Sequence, residues 1–342
     1  MTAANRIDGQ LAKLLLVKGA GAISHLPRDA LGSLFRRGDL VVANDAATLP
    51  ASLYGVHCST SEPIEARLAG WLSFRDPLCF LAVIFGAGDH RMLTEDRPPP
   101  PSLSVGDQLE FGPLIAVVER LLDHPRLVQV RFDGSAASVM RDLVWHGRPI
   151  QYAHTPEPLM LWNVWTRIAA DPIAFESPSA GFALDWRTLK NWRERGVGFS
   201  TLSHAAGLSS TGDAALDQRL PFDEFYHIPE ACARAITAAK SQLGRIIAIG
   251  TSVVRALESA ANAAQTVRAG QGRASGRIDR RARLRVVDAI LTGVHQPGES
   301  HYELLRAFAG ETVLDRVRAA VEEREYRAHE FGDSLLIERQ AA

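Results

Sequence analysis

Arg245-Ile246-Ile247-Ala248-Ile249-Gly250-Thr251-Ser252-Val253-Val254-Arg255-Ala256-Leu257-Glu258-Ser259 is the stretch on which the fold turns. Its opening run, Arg245 to Ile249, is short, apolar and β-branched, which reads as a core strand. Gly250-Thr251-Ser252 ends that strand, and the spacing beyond it predicts a helix over Val253 to Ala264. Just upstream, Pro229 to Leu243 reads as a helix with proline in its first turn and Gly244 as its stop. Helix, strand, Gly-Thr-Ser, helix is the punctuation of an α/β domain with a nucleotide-type site at the strand's carboxyl end.

Toward the N-terminus a second unit of this kind appears. The turn Arg37-Gly38-Asp39 leads into Leu40-Val41-Val42-Ala43, a buried-strand candidate ending on the polar pair Asn44-Asp45. Residues 62 to 134 change character. Short apolar runs (Leu78 to Phe85, Gln108 to Phe111, Ile115 to Val118, Leu127 to Phe132) alternate with Gly, Pro and Asp turns, the spacing of a small β-barrel or sandwich. The prolines Pro98 to Pro101 mark a stiff surface connection inside that block. Helical spacing returns at Ser138 to His146, with Val139, Met140, Leu143 and Val144 as apolar positions. The expected architecture is therefore a mixed α/β main domain, residues 1–60 and 135–342, interrupted by an inserted β-barrel at 61–134. Residues 265 to 283, rich in Gly, Ala, Ser and Arg, read as a flexible connector before a strand over Leu284 to Leu291. A helix over Val313 to Arg324 and a last strand over Ser334 to Glu338 complete the chain.

Composition narrows the function classes. With 46% hydrophobic and 23% charged residues the chain has the balance of a folded globular protein. Three widely spaced cysteines, Cys58, Cys79 and Cys232, form no C-x-x-C pair and read as buried free thiols of a reducing compartment. The polar opening Met1 to Gln10 and the brief apolar run Leu14 to Val17 read as neither signal peptide nor membrane anchor, so a cytoplasmic monomer is expected. Net charge is only -1, and a nucleic-acid partner needs a local basic patch. One exists: Arg268, Arg273, Arg277, Arg280, Arg281, Arg283 and Arg285 face a single acid, Asp279, between 268 and 285. Such a run reads either as a solvated loop or as a phosphate-binding arm.

Gly250-Thr251-Ser252 can bring backbone, hydroxyls and free helix amides to a ligand, although Thr and Ser also serve as ordinary helix caps. The full stretch from Arg245 to Ser259 resembles the hallmark of the S-adenosylmethionine:tRNA ribosyltransferase-isomerase family of queuosine synthesis. Gly38 to Gly55, Pro178 to Gly181, Gly196 to Leu202, Val287 to Gly310 and Ala319 to Ile337 resemble it in the same order. The resemblance implies an α/β domain interrupted by a β-barrel, S-adenosylmethionine as co-substrate, tRNA as partner and no metal. It implies a reaction in which the ribosyl unit of S-adenosylmethionine moves onto the aminomethyl group of a 7-deazaguanine in tRNA while adenine and methionine leave. That chemistry calls for a base near the sugar's 5′ carbon and a group that meets the departing adenine.

Residue by residue, the resemblance implies Glu224, His204 and Asp45 as catalytic. It places Ser179, Gly181, Gly250, Thr251, Ser252, Arg255 and His295 around the cofactor, and the arm supplies Arg277, Arg280, Arg281 and Arg283 for tRNA. Each has a plainer reading: Asp45 as a turn former, Glu224 as a solvated acid, His295 as a hydrogen-bonded structural histidine and His227 as surface. Several positions depart from the family. Ala47 and Ser52 replace two arginines, Ala183 replaces a histidine, and His204 stands one residue beyond the family's histidine. The family's Pro-Leu-Pro-Pro-Tyr is reduced to Arg148-Pro149-Ile150-Gln151-Tyr152, and of its His-Ser-Glu only Glu224 persists behind Phe222-Asp223. These losses leave two alternatives beside the tRNA enzyme: a paralogue acting on a small molecule, and a catalytically silent binding protein.

Overall fold

A computed structural model describes residues 12–340; the polar opening Met1 to Gln10 lies outside them. The main body is a nine-stranded sheet with the order Gly270–Ala274, Glu224–Ile228, Gly198–His204, Leu40–Asn44, Ile246–Ile249, Ala289–Gly293, Ser334–Glu338, Lys13–Val17, Ile23–Pro27. The four central strands, Gly198–His204 through Ala289–Gly293, run parallel, as their uninterrupted apolar runs require when both faces are covered. Antiparallel pairs flank them on both sides. Leu40, Val42, Ile246 and Ala248 pack with helix Thr251–Ala260 on one face. Val41, Ala43, Ile247 and Ile249 pack with Trp192 and Phe35 on the other.

The inserted unit is a closed six-stranded barrel ordered Leu127–Phe132, Cys79–Phe85, Glu62–Trp71, Ser52–His57, Gln108–Phe111, Leu114–Leu121. Its interior is filled by Leu68, Phe80, Phe85, Val118 and Phe132, and helix Ala136–His146 lays Val139 and Leu143 against the same core. The barrel opens at Ser52, earlier than position 61, because Ser52–His57 runs directly on from Pro50 and pairs with Glu62–Trp71 without a loop of distinct composition. Met140 packs only at the margin, and Val144 turns to solvent beside the exposed Trp145. The proline connection does more than cross the surface. Its leading residue, Arg97, is buried and pairs with Glu65, which also holds Arg67.

Three further expectations need correction. The segment 265 to 283 is not a free connector, since Gly270–Ala274 adds an antiparallel strand to Glu224–Ile228. Tyr226 lies over Gly272, where a Cβ would stand 2.3 Å from its hydroxyl oxygen, so a glycine is needed there. Helix Thr251–Ala260 ends before Ala264, and the strand expected from Leu284 begins only at Ala289. The amides of Arg285, Val286 and Val287 donate to the Glu258 carboxylate instead of to a ladder, which explains the late start. Cys58 is exposed, whereas Cys79 and Cys232 are buried. No helix among the described residues is long and apolar enough to cross a membrane.

Candidate active site

The carboxyl ends of the four parallel strands deliver Asn44-Asp45, His204, Gly250 and Gly293 to one edge of the sheet, the edge where open α/β sheets hold ligands. A cleft of about 770 Å³ opens over part of this edge, within the size range of small-molecule sites. One wall is the start of helix Thr251–Ala260. Gly250 has φ 97° and ψ 155°, a conformation open to glycine and costly for any side chain. It brings the backbone to the cleft with Thr251 and Ser252, the residues that open the helix. Ser177, Pro178 and Ser179 form the opposing wall, and a Cβ on Gly250 would stand 3.4 Å from that of Ala180.

Of the sequence-derived candidates, Ser179, Gly250, Thr251, Ser252, Arg255, Glu224, His295 and Arg277 line the cleft. Gly181 stands behind the wall, where a Cβ would come within 2.9 Å of Thr166, so its role is to let that turn pack. Asp45 lies outside the lining and accepts the Ser203 hydroxyl at 2.7 Å. Neighbouring Asn44 braces the strand ends, donating to the His204 carbonyl at 2.9 Å and to Ser252 Oγ at 3.3 Å, while its own carbonyl oxygen accepts the His204 amide.

Glu224, His204 and Arg255 come together. Glu224 Oε1 accepts the Gly207 amide at 2.6 Å, and Oε2 accepts Arg255 Nε at 3.0 Å. Arg255 spends its remaining donors on the carbonyls of Gly276, Ala274 and Phe222, so it clamps the Gly270–Ala274 strand and the following turn beneath the cleft. His204 is fully buried. Its Nε2 lies 3.4 Å from Glu224 Oε2, yet neither ring nitrogen makes a hydrogen bond. Burial, only partly opposed by Glu224, pushes the imidazole down to about 4, which leaves it neutral at physiological pH.

His295 Nε2 is bonded to Thr292 Oγ1 at 2.9 Å, and Nδ1 lies 3.3 Å from Glu299. Its ring stacks on His301, whose imidazole burial also pushes down to about 4. Arg277 donates to the carbonyls of Leu220 and Asp217, anchoring the arm at the cleft rim, while Arg280, Arg281 and Arg283 extend into solvent. His227 is exposed, in agreement with its surface reading.

Sequence reading missed the cleft's most perturbed carboxyl. Glu176 follows the apolar run Ile173 to Phe175, and its Oε1 accepts the Tyr152 hydroxyl and, at 3.1 Å, the Ser209 amide. Burial pushes the carboxyl up to about 7, against the lowering effect of those donors. His154, His329 and Glu330 also line this side. His154 stacks on His329 at 3.8 Å and bonds Glu330 at 2.8 Å. An acid placed after an apolar run was the available signal for Glu176; its partners lie too far along the chain to be paired by inspection. Among the described residues no cluster of three or more His, Cys, Asp or Glu is arranged to hold a metal ion.

The cleft fits an adenosyl ligand in kind: a glycine-opened helix start, hydroxyls at Ser179, Thr251 and Ser252, and the Phe182–Phe331 ring pair, 5.3 Å between centroids, for a purine to lie against. Comparison with known proteins agrees with the architecture. The S-adenosylmethionine:tRNA ribosyltransferase-isomerase of Sorangium cellulosum is 33% identical, with 95% of this chain and 92% of the relative covered. The protein of the same description from Gloeobacter violaceus is 31% identical over 95% and 89%. The crystal structure of the S-adenosylmethionine tRNA ribosyltransferase from Thermotoga maritima shares the fold at a TM-score of 0.50 and 18% identity, covering 98% of this chain and 95% of that one. The family model described as queuosine biosynthesis protein matches residues 4–337. This chain, barrel and sheet together, therefore belongs to the queuosine biosynthesis protein family.

Proposed function

We propose that this protein is an S-adenosylmethionine-dependent transferase-isomerase that moves the ribosyl unit of S-adenosylmethionine onto the aminomethyl group of a 7-deazaguanine in tRNA. The carrying observation is the cleft itself: Gly250-Thr251-Ser252 faces Ser179 across a space of ligand size at the sheet's carboxyl edge, in a chain that matches the family over nearly its whole length. Ser179, Thr251 and Ser252 offer hydroxyls to ribose or carboxylate oxygens, and the helix start favours a carboxylate. His295, held by Thr292 and Glu299, lines the cleft with an oriented ring. Glu224, Arg255 and His204 brace the floor, while Asp45 and Gly181 support it from behind. Arg277 lines the cleft, and Arg280, Arg281 and Arg283, exposed further along the same arm, suit the backbone phosphates of an RNA hairpin.

The arginine missing at Ser52 does not leave an empty polar hole. Ser52 donates to the buried Glu65, and Arg67 and Arg97 supply the cationic partners there. The deciding experiment is mass spectrometry of nucleosides from tRNA bearing the 7-aminomethyl-7-deazaguanine base, after incubation with the protein and S-adenosylmethionine. The expected result is a nucleoside heavier by the transferred ribosyl unit, with free adenine and methionine. Products formed equally without tRNA would replace this reading with action on a small molecule. No product in either arm would leave a binding protein.

A further inference from the structure

We propose that Glu176 is the proton-exchanging carboxyl of this cleft, taking the proton from the ribosyl carbon beside the sulfonium and returning it to the departing adenine. The proposal rests on the reading of the cleft as the S-adenosylmethionine site. In the first step the C–H electron pair stays on carbon and the Glu176 carboxylate becomes a carboxylic acid. In the second the carbon's pair forms a double bond to the neighbouring 4′ carbon as the ring 4′ C–O bond breaks, the ring oxygen's pair forms the 1′ carbonyl, and the glycosidic C–N pair leaves with the purine nitrogen, which accepts the carboxylic proton and restores the carboxylate.

Six carboxyls line the cleft, Glu95, Glu176, Asp217, Glu224, Glu299 and Glu330, and Glu95 is exposed to solvent. Glu224 is committed through both oxygens, to the Gly207 amide and to Arg255. Glu299 and Glu330 are each paired with a histidine, His295 and His154, and both are held below the usual carboxylate range. Asp217 is tied through both oxygens, Oδ1 to the amide and hydroxyl of Thr211 and Oδ2 to the Ser210 hydroxyl. Glu176 is bonded by neutral donors alone, the Tyr152 hydroxyl and the Ser209 amide, and both bonds fall on Oε1.

Its position suits the task as well. Glu176 lies in the segment Glu176-Ser177-Pro178-Ser179, the wall facing Gly250 and Thr251, and is recessed yet open to the cavity. The charged and titratable groups around it are few. The nearby Glu330 carboxyl opposes its ionisation. Behind Tyr152 stand the Arg67 guanidinium, 5.3 Å from the ring and bound to Glu65, and the stacked His154 at 5.9 Å. A carboxyl so placed titrates near neutrality, where a group that must both take and give a proton works best.

The test measures adenine release from S-adenosylmethionine and modified tRNA, with cofactor affinity measured separately by calorimetry. E176Q keeps the shape and removes the exchangeable proton. The expected result is a kcat lower by roughly 10²- to 10⁴-fold with cofactor affinity within about threefold. The parent's rate should rise with pH through a midpoint near 7, the value burial sets. Y152F removes a donor to the carboxylate, so its limb should move to higher pH while a slower but measurable rate persists. This second variant serves if E176Q folds poorly. An E176Q rate within threefold of the parent, or a Y152F limb that stays in place, would overturn the proposal while leaving the assigned reaction intact. A parent that releases no adenine would instead remove the reaction, and the proposal with it.

Discussion

Replacing Arg255 by methionine tests whether the Glu224–Arg255 pair is structural. In the folded protein Arg255 is 5% exposed, binds Glu224 Oε2 at 3.0 Å and donates to three backbone carbonyls. Methionine restores much of the volume but strands a buried carboxylate whose other ties are the Gly207 amide and an unprotonated His204. Breaking a buried pair from one side costs about 3–5 kcal/mol, with the desolvated partner responsible for most of it. For a chain of this size that is a fall in Tm of about 4–7 °C. Calorimetric or circular-dichroism melts of R255M, E224Q and the double variant provide the assay. The two single losses should be strongly non-additive, the double variant lying within about 1 kcal/mol of the worse single, because each removes the same interaction. A loss below about 1 kcal/mol in R255M, or simple additivity, would refute the clamp and return Arg255 to direct ligand contact.

Other outcomes follow from the same geometry. His204 and His301 are both pushed down to about 4 by burial, so the folded protein binds fewer protons than the unfolded chain between pH 6.5 and 4. Stability is fully present above pH 6.5 and lost as pH falls through that window, and H204Q should flatten the loss measured by denaturant titration. Removing the three exposed arginines, as R280A/R281A/R283A, should lower the slope of log tRNA affinity against log salt by roughly two units and leave S-adenosylmethionine affinity unchanged. An unchanged slope in filter-binding titrations would make the arm a solvated loop.

Much of the fold could be read from residue order. Ile246–Ile249 and Leu40–Asn44 are buried on both faces, so a plain apolar run identified them as central parallel strands. The barrel showed itself through turn spacing alone. What escaped was decided by contacts distant in sequence. Gly270–Ala274 has little intrinsic strand preference, and it is a strand because Glu224–Ile228 and Arg255 hold it. Ser52–His57 joins the barrel through its register with Glu62–Trp71, which composition does not reveal. Within the site, the glycine and hydroxyl positions were legible because backbone approach and capping are local. Glu176 was not, since its environment depends on Tyr152 and Ser209, 24 and 33 residues away. Glu224 was expected in the chemistry and Arg255 at the cofactor; that they bond each other depends on a contact across 31 residues.

The central claim is that S-adenosylmethionine sits where the Gly250 turn meets Ser179, and one pair of titrations addresses it most directly. Isothermal calorimetry of the parent protein with S-adenosylmethionine should show one site per chain. In G250V, a β-branched side chain forced to φ 97° beside Ala180 should close the approach and abolish that binding, while far-ultraviolet circular dichroism confirms an unaltered fold. A folded G250V that binds S-adenosylmethionine as the parent does would contradict the account.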